Sequence, residues 1–565
     1  MHLTRRDVLQ AALAGAAATA GSFWVAESQG STSARYGEVF AELDRFVEQF
    51  MREMNSPGMT LVLADRDGVQ RVTTYGFGDL DRQRKLDADE LFEIGSITKS
   101  FLALALLQLR DEGKLDLHEP IVEYLPWFRI QSTFAPITTH HLLTHSSGLP
   151  GAPEVFPSDP AQRHVAAYAP GRQFHYNNMA YSLLGHLAWT LDGRELPEIF
   201  RERIFKPLGM SRSEPAIDFD MRLRMPRSYQ PVLSDRPYPR HGELCEAPSI
   251  VSSSGAGCIA ATARDMGAYV QMIANRGRGP QRNLVSPESF ELFAKRHIKA
   301  EEFGPTASYG YGIAVDDLDG NPLVRHTGGM VSYMSALQVD IAAGIGGFAS
   351  VNAQQGYRPN AVVQYGLRLM RAHAEKKQAP ARPAPDSELE VANAADYAGT
   401  FKGERGQLEF ANEGTKLFLV RAGKRIQLTR LSSPDQFHVS EPELTRFPLI
   451  FSRAQTGGKV VEVSWGDAWY PGDAYAGPRQ FQTPPAWHSY VGHYRSEDPW
   501  IGSLRVFILK GSLVLDGTPL EVDGELFRLR DEPSNTEWIR FGEIVNGKCM
   551  RLKYSGVDLW RVASA

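Results

Sequence analysis

Near Glu388 the chain changes texture, and no single fold accommodates both sides of the change. Residues 36–372 mix helical patterns with short strands. The stretch HAEKKQAPARPAPDSE at 373–388 is rich in Pro, Ala and charge, a composition that favours an extended linker. Downstream come short alternating strands with Gly turns, as in QLEFANEGTKLFLV and SLRVFILKGSLVLDG. That spacing predicts an all-β barrel or sandwich. The β part also repeats: Tyr397-Ala-Gly-Thr-Phe401 returns as Tyr490-Val-Gly-His-Tyr494. Each copy precedes a hairpin, around Asn412-Glu-Gly414 and around Lys510-Gly511, and then a Phe-centred strand, QFHV and LFRL. Two small barrels of about 85 residues each are therefore expected, over 389–480 and 486–565, joined by a Pro/Gly connector at 470–485.

Upstream, EIGSITKSF places Ser96 three residues ahead of Lys99. The following run, FLALALLQLRDEGKL, is apolar nearly all round and ends at Gly113 in a left-handed cap position, which predicts a central buried helix. A serine hydroxyl is a poor nucleophile until a base takes its proton. At this spacing the two side chains point the same way. Burial and the positive end of the helix dipole both disfavour an ammonium, which leaves a lysine able to act as general base. Ser96 is the only serine of the chain with lysine at +3. Standing alone, the pair would read as a surface lysine in a first turn, because chance supplies about one such pair in a chain of this length.

Two further stretches change that reading. FHYNNMAYSLLGHL carries Tyr176-Asn177-Asn178, and LVRHTGGMVSYMSALQVD carries His326-Thr327-Gly328-Gly329 between two strand-like runs. In this order, SITK, YNN and HTGG resemble the three active-site motifs of the serine β-lactamase-like hydrolases. That superfamily includes class C β-lactamases, penicillin-binding D,D-peptidases, D-aminopeptidases and several esterases. HLLTHSSGLPG, ERIFKPLGMS and ASYGYGIAV agree in texture, and the resemblance covers about residues 40–370. It implies an α/β catalytic domain over 36–372, with an antiparallel sheet flanked by helices plus an all-helical subdomain. The β tail resembles the accessory barrels that follow this domain in D-aminopeptidases.

The resemblance also implies roles. Ser96 matches the acylated nucleophile, Lys99 its base, and Tyr176 the tyrosine that shuttles a proton to the leaving group. Asn178 matches the amide that orients substrate and Lys99. His326, Thr327, Gly328 and Gly329 match the substrate-binding strand, with the backbone N–H groups of Ser96 and Gly329 as oxyanion hole. A strand edge carrying Gly-Gly would let a substrate backbone come close. The penicillin-targeted branches begin the third motif with lysine, whereas histidine near pH 7 is mostly neutral. That departure turns expectation away from a β-lactamase or D,D-carboxypeptidase and toward a D-aminopeptidase or related peptidase or esterase.

The expected activity is hydrolysis of amide or ester bonds of small substrates through an acyl-serine, with no metal or other cofactor. The alternative is a penicillin-binding-like module that senses cell-wall fragments and hydrolyses them weakly or not at all. No G-x-S-x-G elbow occurs, which disfavours an α/β-hydrolase. A formal charge of −5 with no long basic run gives nucleic acid no electrostatic footprint. At the N-terminus, Arg5-Arg6 ahead of a small-residue apolar segment reads as a twin-arginine export signal over residues 1–26, or else as an uncleaved anchor. A periplasmic or secreted protein follows, without stable membrane insertion once the signal is removed.

Three cysteines, Cys245, Cys258 and Cys549, are too few for a disulfide framework, although the first two could pair. His140, His141 and His145 crowd together but lack a nearby carboxylate, so structural roles are expected rather than zinc. His175 could line the cleft. Phe401, Trp465, Trp487, Trp500, Trp538 and Trp560 read as barrel core. A loop such as Arg495–Gly502, with acidic Glu497 and Asp498, or the 470–485 connector, could reach the cleft and restrict it to short substrates.

Overall fold

The computed structural model describes residues 34–562 except 152–154, 157–163, 234, 355–356, 456, 499 and 531–534. The export segment at 1–26 lies outside the described residues. At the centre of the N-terminal part is a nine-stranded sheet, antiparallel at every pairing. Its middle strands run, in spatial order, Ala314–Leu318, Asn321–Gly329, Met334–Asp340, Ile345–Val351, Gly58–Asp65 and Gly68–Asp79. Alternation along each strand sends side chains to opposite faces. Leu61, Leu63 and Ala336 pack under the helices Gly37–Met54 and Asn360–Ala374. Val62, Leu337 and Phe348 pack on the other face against the helices Ala263–Ala274 and Thr98–Asp111. In Gly37–Met54 the buried positions Phe40, Leu43, Val47, Phe50 and Met54 recur every three or four residues and form a single apolar stripe.

The helix Thr98–Asp111 buries eleven of its fourteen residues, as its all-round apolar sequence requires. Each large apolar side chain so buried contributes about 1.5–3 kcal/mol. Gly113 follows it with φ +71°, the left-handed conformation its glycine was expected to supply. A helical layer containing Thr139–Leu143, Asn178–Asp192 and Leu196–Phe200 packs against it on the far side from the sheet. This is the α/β plan with helical subdomain implied by the motifs.

After the helix Asn360–Ala374 the chain runs without helix or strand to about residue 390. It is pinned along the way: Arg382 pairs with Glu42, and Asp386 pairs with both Arg240 and Arg430. Two eight-stranded units follow, one with strands from Gly399–Gly403 to Ala468–Pro471, the other a closed barrel from Gly492–Arg495 to Val557–Arg561. A Phe401–Gly472 bridge brings the ends of the first unit together. The sequence repeat holds element for element. In each unit the quoted hairpin joins the second and third strands, and the Phe-centred strand, Gln436–Val439 or Leu526–Leu529, is the fifth.

Phe401 lies in the core of the first barrel, with Trp465 partly buried against it, and Trp487 packs on the second. Trp500 and Trp560 depart from the core expectation, since they are 56% and 49% exposed. Trp560 lies outside its barrel beneath Arg551. No helix among the described residues is long and apolar enough to cross a membrane. All three cysteines are free, so Cys245 and Cys258 do not pair.

Candidate active site

Gly95–Ile97 form a single 3-10 turn that runs directly into the helix Thr98–Asp111. The turn lifts Ser96 toward a cleft of about 640 Å³ and leaves Lys99 fully buried one turn on. Lys99 Nζ lies 3.1 Å from Ser96 Oγ, 2.8 Å from Asn178 Oδ1 and 2.7 Å from the carbonyl oxygen of Ala256. Burial holds this amine well below the ordinary lysine range. A neutral amine has two N–H donors and one lone pair. Asn178 and Ala256 can accept the two hydrogens, which leaves the lone pair facing the Ser96 hydroxyl. The count of neighbours is that of a base.

Tyr176 lines the same cleft as Ser96, and burial pushes its phenol above the usual range. At neutral pH it therefore holds its proton. Lys99 Nζ sits 4.9 Å from the centroid of the Tyr176 ring and 5.4 Å from that of Tyr181. Asn177 caps the helix Asn178–Asp192 by accepting from Ala180 N, which places Asn178 at the helix start and directly over Lys99.

The strand Asn321–Gly329 outruns its outer neighbour, whose pairing stops at Arg325. His326 to Gly329 thus present a locally free edge to the serine turn. A Cβ on Gly328 would lie 1.9 Å from the carbonyl oxygen of Ile94, and one on Gly95 would lie 2.6 Å from Gly329 N. The space beside Gly328 is therefore filled by the protein's own backbone, not by room for a substrate as its sequence suggested. These glycines let strand and serine turn meet. Gly95 also has φ +54°. Gly95→Ala is expected to destabilise the fold by about 1–3 kcal/mol and to cut turnover at least about 100-fold by displacing the Ser96 and Gly329 N–H groups. Thermal melts and kinetics on one preparation check both.

His326 is buried, and both ring nitrogens are occupied, Nε2 by the Tyr309 hydroxyl at 2.9 Å and Nδ1 by the carbonyl oxygen of Thr327 at 2.7 Å. Burial, aided by Lys99, pulls it down to about 3, so the imidazole stays neutral. It lines the cleft beside Thr327 and Gly329. Two neighbours were not legible from motifs. Arg358, just before the helix Asn360–Ala374, lines the cleft, and a Cβ on Gly329 would meet its Nη2 at 2.9 Å. Trp500, from the second barrel, forms another wall. The loop carrying it does reach the cleft, but Asp498 is spent on the loop itself, accepting from the backbone of Trp500 and Ile501.

His175 does not face the cleft. Its Nε2 lies 3.4 Å from Glu537 Oε1 of the second barrel. The same oxygen accepts from Gly151 N at 2.6 Å, and Thr536 donates to the carbonyl oxygen of Leu149 at 3.1 Å. That turn in turn carries the YNN motif: Asn177 Nδ2 donates to Leu149 and Pro150, and Met179 N donates to Gly151. Glu537→Ala is expected to cost about 1–3 kcal/mol by leaving Gly151 N–H without its partner. Turnover should fall with it, and Glu537→Gln, which keeps the acceptor, should recover most of both.

The three crowded histidines are engaged in the fold. His145 Nδ1 accepts from Asn177 N, His140 bonds the Tyr311 hydroxyl, and His141 closes the capping box of Thr139–Leu143. Tyr181 and Tyr333 are buried, their hydroxyls donating to the carbonyl oxygens of Leu143 and Pro226.

A model of the Beta-lactamase family matches residues 43–370. The chain is similar to the putative penicillin-binding protein PbpX of Bacillus subtilis (strain 168), 27% identical over 285 residues that make up 48% of this chain and 64% of that protein. It is similar also to Esterase EstB of Burkholderia gladioli, 31% identical over 196 residues, 30% of this chain and 50% of that protein. The matched regions thus span less than two thirds of either relative. Among solved structures, the octameric penicillin-binding protein homologue from Pyrococcus abyssi shares the fold, with a TM-score of 0.54 and 24% identity, over 76% of this chain and 99% of that one.

Proposed function

Because the chain belongs to the Beta-lactamase family, we propose that it is a serine hydrolase that cleaves small esters or amides through an acyl-serine. The observation that carries this reading is Lys99, buried, with two acceptors for its hydrogens and its third neighbour the Ser96 hydroxyl at 3.1 Å. Lys99 takes the Ser96 proton as Oγ attacks the carbonyl carbon. The oxyanion rests on the N–H groups of Ser96 and Gly329. Tyr176, protonated in the resting site, hands its proton to the leaving group and regains one from Lys99, which holds the proton taken from Ser96. Water then enters by the same route and frees the acid.

Within this class we favour a D-aminopeptidase-like peptidase or an esterase. Neutral His326 in place of a fixed cation supports it, as does similarity to an esterase. Arg358 returns a positive charge to the cleft from another direction, so carboxylate-bearing substrates belong in the test. We also place the protein outside the cytoplasm, as the paired arginines Arg5-Arg6 suggest.

The deciding experiment offers the purified protein a D-aminoacyl anilide, a short-chain nitrophenyl ester and a chromogenic β-lactam, with Ser96→Ala as the blank. Turnover of any one that vanishes in the variant upholds the hydrolase. No difference from the blank on all three would favour a binding module.

If Trp500 is a wall of the cleft, Trp500→Ala should relax size selection. The ratio of kcat/KM for an octanoyl over an acetyl nitrophenyl ester is expected to rise about 3–10-fold, the scale of a few methylenes in a pocket. An unchanged ratio would remove the barrel loop from substrate selection.

A further inference from the structure

Beside the serine cleft, and sharing Val331 with it, lies a second cavity of about 330 Å³ that the mechanism above leaves unused. It opens between the segment 217–228, the segment 246–250 and the loop that follows Gly329. Glu93, three residues before the nucleophile, is among the residues that line it. The residue is only 5% exposed, and its carboxyl faces the cavity with no hydrogen bond or ion pair to it among the described residues. Buried carboxyls are ordinarily paired, since an unpartnered polar group out of water costs free energy.

The surroundings say what kind of partner is missing. Ile217, Met225, Ile250 and Tyr333 make apolar walls. At the mouth, Phe219 and Leu223 are 63% and 95% exposed, large apolar side chains left uncovered. The other charges are spoken for or face outward. Arg227 pairs with Asp79, Asp81 and Glu246, and Asp218 accepts from the backbone of Asp220 and Met221. Arg222 is exposed at the rim. Burial pushes the Glu93 carboxyl up to about 8, the direction expected of an acid that lacks a counter-charge.

We propose that this cavity is a subsite for a primary ammonium carried on a small apolar group of the substrate, with Glu93 as its counter-charge. The ammonium donates to the carboxylate in a charge-assisted pair while the apolar group fills the walls. A cavity of this size sits at the lower end of those that hold small ligands. The substrate class narrows accordingly to amino-acyl esters and amides whose amine reaches past Val331. This extension rests on the hydrolase reading for its link to turnover, but not for binding.

Binding is therefore measured first, by calorimetry on Ser96→Ala protein at pH 8, with benzylamine and benzyl alcohol as probes. Benzylamine should bind about tenfold or more tightly than the alcohol, and Glu93→Gln in the same background should erase the difference. If that variant does not fold, Ile250→Trp, which fills the cavity, should block the amine instead. Equal binding of amine and alcohol, or an amine affinity untouched by the substitutions, would overturn the subsite.

Turnover is read next, as the kcat/KM ratio of an amino-acyl nitrophenyl ester to its desamino analogue. The ratio should favour the amine about tenfold and fall to about one in Glu93→Gln. Ser96-dependent hydrolysis with no preference for the amine sinks the subsite and leaves the hydrolase standing. Amine binding without hydrolysis of either ester does the reverse.

Discussion

Ser96→Ala is expected to remove at least about 10⁴ of kcat on whichever substrate the protein turns over, because the oxygen that carries the acyl group is gone. The substitution deletes one half-buried oxygen and leaves the turn intact, so stability should move by no more than about 1 kcal/mol. Mass spectrometry after a brief exposure to a slow substrate should find the acyl adduct on wild type alone. A variant retaining a tenth of wild-type turnover would place the nucleophile elsewhere. Tyr176 and the Gly329 edge would then need another partner.

Lys99→Met carries the second large effect, and it separates chemistry from fold. Losing the base should cost about 10²–10⁴ in kcat. The pH dependence supplies the sharper test. Lys99 must be neutral to take the serine proton, so wild-type kcat/KM should fall on the acid side as pH drops through its lowered pKa. His326, held at about 3, adds nothing to that limb near neutrality. Lys99 also leaves a mark on stability with a defined sign. Its folded pKa lies below the ordinary 10.5, so over the interval between the two values the unfolded chain binds the extra proton. Stability gained from this group is complete above pH 10.5 and is lost as pH falls toward the folded value. Melting temperature should therefore rise more steeply with pH, from neutral toward 10, in wild type than in Lys99→Met. Parallel curves would mean that Lys99 is charged in the fold and is not the base.

How much of this could be read before the structure depended on how local each cause was. The pairing of Ser96 with Lys99 follows from one helical turn. The barrel repeat survives in a handful of aromatic and glycine positions, because each copy needs the same first strand and the same hairpin. The motif residues Tyr176, Asn178 and Thr327 line the cleft with Ser96. Gly328 was placed in the right strand for an incomplete reason: its missing side chain admits Ile94, and only the packed sheet reveals that neighbour. Arg358 and Trp500 carry no periodicity or motif and reach the cleft through long-range packing alone. Glu537 is the extreme case. Nothing near it in sequence distinguishes it from the other acidic residues of a β-barrel, and its partners lie in a different domain.

That distance has a consequence for how the protein is made. Glu537 and the Gly151 N–H it accepts from are separated by 386 residues. At the usual pace of synthesis, the turn beneath Tyr176 and Asn178 waits roughly 20–80 s for the segment that grips it. The helices and sheet of the N-terminal part can close during that interval, but the floor of their own cleft stays unbraced until the second barrel has left the ribosome. The second barrel thus acts as a built-in timer on the domain translated before it, and a nonsense codon within that barrel but ahead of Glu537 would leave every cleft motif present and the support of the Gly151 turn missing.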